Sequence, residues 1–280
     1  MYKIKIFSDF CSSEKCKINF QKVFGSYVNN QIQIISDADD YTHAIVLNTS
    51  MPQLIIPKEN VIGLAFEPRE LLDLTEEFIQ YARTHIGKYL IGNNKGLPKL
   101  FVEYYGFMWH NNPNKSIPFQ DKTKIMSIVF SDKNLAPGHL YRTSLVKTIL
   151  NEKLPIDIYG SGCRLLNDSR KYKNVKGRFE STEPYENYLF SICIENYSSN
   201  DYISEKLLDP LLHNCIPIYL GAKNINKYFD NIIQLKGYIL FDIELLKVIL
   251  KNPHKYYKQT YNERNIQQIN FFKKITNFFN

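Results

Sequence analysis

The sequence predicts an α/β protein built as two successive halves, and three observations carry that reading. Short runs rich in β-branched and aromatic residues alternate with stretches of helical spacing, the pattern of strands covered by helices. The alternation is interrupted by the polar stretch 111–123 (NNPNKSIPFQDKT), which has two prolines and no periodicity and therefore reads as a linker. Charge divides at the same place: residues 1–110 hold 11 basic and 12 acidic side chains and the remainder 24 and 16, so the net charge of +7 resides in the second half.

The elements follow in order. In the first half YKIKIF (2–7), IQIIS (32–36), HAIVLN (43–48), VIGLAF (61–66) and KYLIG (88–92) read as strands. Between the last two, Arg69–His85 sets Leu71, Leu72, Leu74, Phe78 and Ile79 at roughly helical intervals and reads as one helix. After the linker come a strand KIMSIVF (124–130), a helix Gly138–Leu150, a strand PIDIYG (155–160) ending in a turn at Gly160, and a strand YLFSICI (188–194). A helix from about Ser204, the strand IPIYL (216–220) and helical stretches complete the chain. The expected organisation is two Rossmann-like domains facing a cleft, 1–115 and 124–280, with a last helix that could cross back to the first. Ligands of such sheets bind beyond the carboxyl ends of the strands.

Composition excludes several classes. With 44% hydrophobic and 22% charged residues the chain is globular, not low-complexity or collagen-like. No window approaches the roughly 18 uninterrupted apolar residues of a membrane span, and Lys3 and Lys5 interrupt the apolar start where a secretory signal would have its core. No integral membrane segment and a cytoplasmic location are expected. The five cysteines form no CxxC pair and read as reduced thiols. The six histidines have no ligand partner at helical spacing. Asp37-Ala38-Asp39 spells a D-x-D, but in a polar loop of the first half, where it reads as turn chemistry. No metal site is expected. The basic second half suggests an anionic ligand. It has no known nucleic-acid module and no stripe of interleaved aromatic and basic residues, so nucleic acid is not the expected partner.

One stretch, Tyr188–Ala222, carries the chemistry. A buried strand ends at Ile194 and releases Glu195, Asn196, Ser198 and Ser199 at its carboxyl end. A loop leads to Ser204, a good N-cap, with Glu205 and Lys206 in the first helical turn and an apolar face of Leu207, Leu208, Leu211, Leu212 and Cys215 behind them. The start of a helix plus a lysine favours a diphosphate. Taken alone, Glu205 is equally an acid complementing the helix dipole, and Lys206 a solvated lysine.

The spacing Glu195-Asn196, Tyr202, Ser204-Glu205-Lys206-Leu207, followed by Ile216-Pro217-Ile218-Tyr219-Leu220-Gly221, resembles the donor-binding signature of the α1,3-fucosyltransferases, glycosyltransferase family ten. Three upstream matches are weaker: Ala136-Pro137 with Tyr141-Arg142, Asp157-Ile158-Tyr159-Gly160, and Phe66-Glu67-Pro68. The resemblance implies a GT-B fold and inverting transfer of fucose from a GDP-fucose donor to a hydroxyl of a glycan acceptor. It implies Glu67 as general base, and Arg142 and Lys206 as the charges on the leaving diphosphate. Glu205 would accept from the ribose hydroxyls, Asn196 and Tyr202 would shape the donor pocket, Gly160 would turn the chain near the donor, and Ser204 would complete the motif. With two cations available, no metal cofactor is required, though manganese or magnesium could stimulate. Two positions depart from the family pattern, Pro210 inside the motif helix and Asn214 where a small residue is usual. The Golgi members' anchor and stem are missing, which favours a bacterial-type or viral enzyme. Two alternatives stand beside this reading. One is an exostosin-like transferase using a UDP-sugar, suggested by Cys215-Ile216-Pro217-Ile218. The other is a non-catalytic nucleotide or nucleic-acid binder.

Overall fold

Two six-stranded sheets, every strand pairing parallel, organise the chain. The computed structural model describes residues 1–24, 31–36, 39–104, 121–166, 171–180, 182–230, 232–257 and 272–279. Of these, 1–104, 199–202 and 272–279 form one compact unit, and 121–198 with 203–257 the other. Residues 111–120 of the expected linker, and Asp37 and Ala38 of the D-x-D, lie outside the described residues.

The first unit contains β1 (Tyr2–Phe7), α1 (Ser13–Phe24), β2 (Ile32–Ile35), β3 (His43–Leu47), β4 (Val61–Leu64), α2 (Glu76–His85), β5 (Lys88–Ile91) and β6 (Phe101–Glu103). Its sheet order is β2-β1-β3-β4-β5-β6. The five strands read from sequence are present; α1 and the three-residue β6 were not anticipated. The helix expected over 69–85 is shorter. Residues Arg69–Leu71 make a single 3₁₀ turn, and α2 starts only after Thr75, whose side chain accepts from the Phe78 N–H at 3.1 Å. That cap, with Glu76 and Glu77 behind it, outweighs the apolar spacing that suggested an earlier start. Leu72 and Leu74 still pack against the core, but from an extended segment.

The second unit contains β7 (Lys124–Val129), α3 (Pro137–Asn151), β8 (Asp157–Tyr159), β9 (Val175–Gly177), β10 (Tyr188–Ile194), α4 (Glu205–Leu212), β11 (Ile216–Leu220), β12 (Ile233–Gln234), α5 (Ile239–Lys251) and α6 (Pro253–Tyr256). The sheet order is β12-β11-β10-β7-β8-β9. Every residue of the central β10 is buried, which is why its sequence is a continuous apolar run rather than an alternation. Its Ser191 hydroxyl faces Ser127 of β7, which donates to the Pro184 carbonyl at 2.6 Å, and its Tyr188 hydroxyl donates to Asp157 Oδ2 at 2.6 Å, so these polar side-chain atoms of the strand are satisfied. α3 is bound to α5 through Tyr141, whose hydroxyl donates to the fully buried Asp242. The same carboxylate accepts the backbone N–H groups of Lys236, Gly237 and Tyr238 at 2.7–3.1 Å.

Each sheet has a point where strand order reverses, between β1 and β3 in the first and between β7 and β10 in the second. In open α/β sheets the crevice beyond the carboxyl ends of the two strands flanking that point is where ligands bind. Among the described residues, no helix is long and apolar enough to cross a membrane.

Candidate active site

The second unit's reversal point is built from the ends of β7 and β10. Beyond β10 stands Glu195, 2% exposed. It accepts the backbone N–H of Ser204 at 2.9 Å on one oxygen and the Ser204 hydroxyl at 2.6 Å on the other. Ser204 in turn caps α4, its oxygen accepting from the Lys206 N–H at 3.3 Å. The carboxylate thus ties the start of α4 to the end of β10. Burial raises its pKa, with Lys206 acting in the opposite direction. Gly221, which closes the motif, is required by this clamp. A Cβ there would stand 2.3 Å from the Tyr219 hydroxyl and 2.5 Å from Glu195 Cγ.

The ammonium of Lys206 lies 2.8 Å from Glu205 Oε1 and 3.8 Å from Glu195 Oε2. Burial works against its charge, but Glu205 and Glu195 outweigh burial and raise its pKa. Lys206 is therefore charged and already partnered by two acids. Arg142, on the second turn of α3, is 5% exposed and donates through Nη2 to Asn196 Oδ1 at 2.8 Å. Asn196 follows Glu195 directly, so one strand end orients both cations. Three N–H groups at the start of α4 are in use: Lys206 bonds the Ser204 hydroxyl, and Leu207 and Leu208 bond its carbonyl. The full positive charges of the site are those of Arg142 and Lys206.

Of the residues singled out from sequence, Arg142 pairs with Asn196, and Ser204, Glu205 and Lys206 form one cluster. Gly160 ends β8 with φ +108°, in a backbone region where a Cβ would lie 2.2 Å from the Phe130 carbonyl. Tyr202 is buried in the segment 199–202, which counts with the first unit. Pro210 falls within α4 and has no N–H to give the Lys206 carbonyl one turn back. Asn214, just past the end of α4, takes a left-handed φ of +55°. Asn tolerates that conformation better than most residues, which accounts for its presence there. His213 is buried and capped, its Nδ1 2.7 Å from the Asp209 carbonyl.

Sequence reading placed Glu195 in the family signature without assigning it a role of its own, and did not single out Asp242 or His139. The local signal for Glu195 was a carboxylate directly after a largely apolar seven-residue strand. Asp242 and His139 had none.

The first unit's reversal point is an open cavity of about 480 Å³ lined by Asp9, Phe10, Asn48, Phe66 and Glu67. Asp9 and Phe10 follow β1, Asn48 follows β3, and Phe66 and Glu67 follow β4. Asn48, at φ +49°, accepts the Phe66 N–H on its side chain at 2.9 Å, and its carbonyl accepts the Tyr89 hydroxyl at 2.7 Å. The Phe66 ring stacks on Phe20 of α1 with centroids 5.9 Å apart. Glu67 is therefore displayed from an anchored segment.

Two parallel-sheet units, each with polar side chains gathered at its reversal point and with cations in the second, are the architecture of a GT-B glycosyltransferase. The chain belongs to glycosyltransferase family 10, the fucosyltransferases, whose C-terminal region model matches residues 119–258. It is 38% identical over 111 residues (38% of the chain) to alpha-(1,3)-fucosyltransferase B of Drosophila melanogaster. It is 30% identical over 118 residues (38% of the chain) to alpha-(1,3)-fucosyltransferase FucT of Helicobacter pylori. In each case the match spans 24% of the relative's length, so the chain aligns with about a quarter of those proteins. A crystal structure of an alpha1,3-fucosyltransferase with GDP superposes over 99% of this chain and 89% of that one, with TM-score 0.59 and 16% identity, a likeness of fold. Family membership displaces the exostosin-like alternative.

Proposed function

We propose that the chain transfers fucose from GDP-fucose to a hydroxyl of a glycan acceptor with inversion, the second unit holding the donor and the first supplying the base. The observation that carries this reading is the Arg142–Asn196 pair beside the Glu195–Ser204–Lys206 clamp at the second sheet's reversal point, inside the segment matched by the family model. A guanidinium grips two phosphate oxygens with fixed geometry. Lys206 supplies a second charge once Glu205 turns from it to the ribose hydroxyls. Glu67 takes the acceptor proton as the acceptor oxygen bonds to the sugar's anomeric carbon. The bond from that carbon to the phosphate oxygen breaks with its electron pair, and GDP leaves with one more negative charge, met by Arg142 and Lys206. These cations take the part a divalent metal would otherwise play, and no metal is needed.

The test is thermal unfolding in EDTA with GDP, UDP or single-stranded DNA. GDP should raise the melting temperature, since ligand at 100 times its dissociation constant stabilises by about 2.7 kcal/mol, and UDP and DNA should not. An equal shift with UDP would point to a UDP-sugar, a shift with DNA alone to a nucleic-acid binder, and a GDP shift appearing only with manganese to a metal site.

A further inference from the structure

His139 lies in the first turn of α3, three residues before Arg142, so both side chains leave the same face of the helix. The residue is 6% exposed, and its Nδ1 is sealed from solvent with no hydrogen-bond partner among the described residues. Its backbone position is fixed against the end of β10. The neighbouring Gly138 N–H donates to the Asn196 carbonyl at 2.9 Å, and a Cβ at position 138 would lie 1.8 Å from the Glu195 carbonyl. The ring therefore sits at the reversal point where the two cations are held. The charges acting on it are Arg142 on its own helix, Lys133 on the loop after β7, and Lys206 on α4. Burial first, and then those three cations, lower its pKa to about 4, so the ring is neutral in the free protein. A buried imidazole with an unsatisfied nitrogen, surrounded by positive charge, is a poor arrangement for packing and a suitable one for meeting an anion.

We propose that His139 is a third contact for the donor diphosphate, and that binding the donor brings one proton onto its ring. The proposal rests on the reading of the second unit as a GDP site. A diphosphate placed among Arg142, Lys206 and Lys133 reverses the local field. The imidazole takes a proton from solvent, and an imidazolium N–H donates to a phosphate oxygen, giving the ring the partner it lacks. When the sugar leaves, the added negative charge on GDP meets a cation already in place. The sign follows from linkage: a pKa higher in the bound than in the free state means proton uptake on binding. Affinity then rises as pH falls through the bound-state pKa and levels off below about 4, where the free ring is protonated as well.

Calorimetric titration of the full chain with GDP and with GDP-fucose, in two buffers of different ionisation enthalpy, counts the protons. GDP-fucose has no phosphate group titrating near neutrality, so its proton count reports the protein. Wild type should take up a measurable fraction of a proton at pH 6.5. His139→Gln should lose that uptake and bind about tenfold more weakly at pH 6.5, with the gap closing by pH 8.5. Zero uptake by wild type with GDP-fucose overturns the proposal without any variant. So does a His139→Gln protein with the wild-type proton count, or an affinity gap that does not change with pH. A wild type that binds neither ligand overturns the donor-site reading, and this proposal with it; binding without uptake leaves that reading intact and removes only His139.

Discussion

The two reversal points share one construction and carry opposite chemistry. Beyond β1 and β3 an open cavity presents the carboxylates of Asp9 and Glu67 with the rings of Phe10 and Phe66. Beyond β7 and β10 stand Arg142, held by Asn196, and Lys206, paired with Glu195, with the buried His139 on the same helix as Arg142. Strand order decides where a ligand can meet each sheet, and the residues released there decide which ligand it is. Carboxylates and exposed rings suit a hydroxyl-bearing sugar, which offers donors and apolar ring faces. A guanidinium and an ammonium suit phosphates. The proposed division of labour between acceptor and donor rests on this difference, and it can be broken one side at a time.

The largest effect is expected at Glu67. Glu67→Gln retains size and hydrogen bonding but cannot take the acceptor proton, so transfer should fall about 10²–10⁴-fold. GDP affinity should stay near the wild-type value, because the proposed donor contacts belong to the other unit. Turnover within a few-fold of wild type would place the base elsewhere, with Glu70 and Glu103 next to be tried. Loss of GDP binding would end the division itself.

Next is Arg142. Its guanidinium is buried and held by Asn196, so Arg142→Ala should weaken GDP binding by about 2–5 kcal/mol, the cost of deleting one partner of a desolvated charged pair. Lys206→Ala should cost less in binding, since Glu205 and Glu195 already offset that charge in the free protein. Isothermal titration of both variants checks the order. Equal losses would mean Lys206 faces the phosphates unscreened, and unchanged affinity in both would move the donor site.

Sequence made the second site legible and left the first half-read, for physical reasons. YLFSICI, IPIYL and the Ser204 cap are local signals, each decided by neighbours in the chain, and all three are found where expected. The clamp is not local. Glu195 reaches Ser204 nine residues on, Arg142 reaches Asn196 across 54, and Tyr141 reaches Asp242 across 101. Spacing within one segment cannot announce such pairs. The cavity in the first unit joins residues 9, 10, 48, 66 and 67 only because β1, β3 and β4 are neighbours in the sheet. Phe66-Glu67 was noticed through a family pattern, whereas Asp9 and Phe10 became visible only through topology. The error over 69–85 is of the same kind: apolar residues packing on the core at helical intervals are not all in a helix.

The smallest effect sharpens the acceptor side. Phe10 is 56% exposed at the cavity although its ring is large and apolar, and its backbone N–H is fixed by the Ser8 hydroxyl at 3.1 Å. If that ring is the platform for an acceptor sugar, Phe10→Ala should raise the acceptor KM by about 3–10-fold, the loss of an aromatic contact worth about 0.5–1.5 kcal/mol. Stability should barely change, since exposed substitutions commonly stay within about 0.5 kcal/mol. Phe66 offers the contrast: its ring is stacked on Phe20, so truncation there would lower the melting temperature as well. Initial rates at saturating GDP-fucose, over a range of an acceptor the wild type fucosylates, give the KM. Donor hydrolysis without acceptor serves as the control. An unchanged KM would take Phe10 out of the acceptor site. A fall in the acceptor-free rate would show the substitution acting on the donor side, against the proposed division of labour.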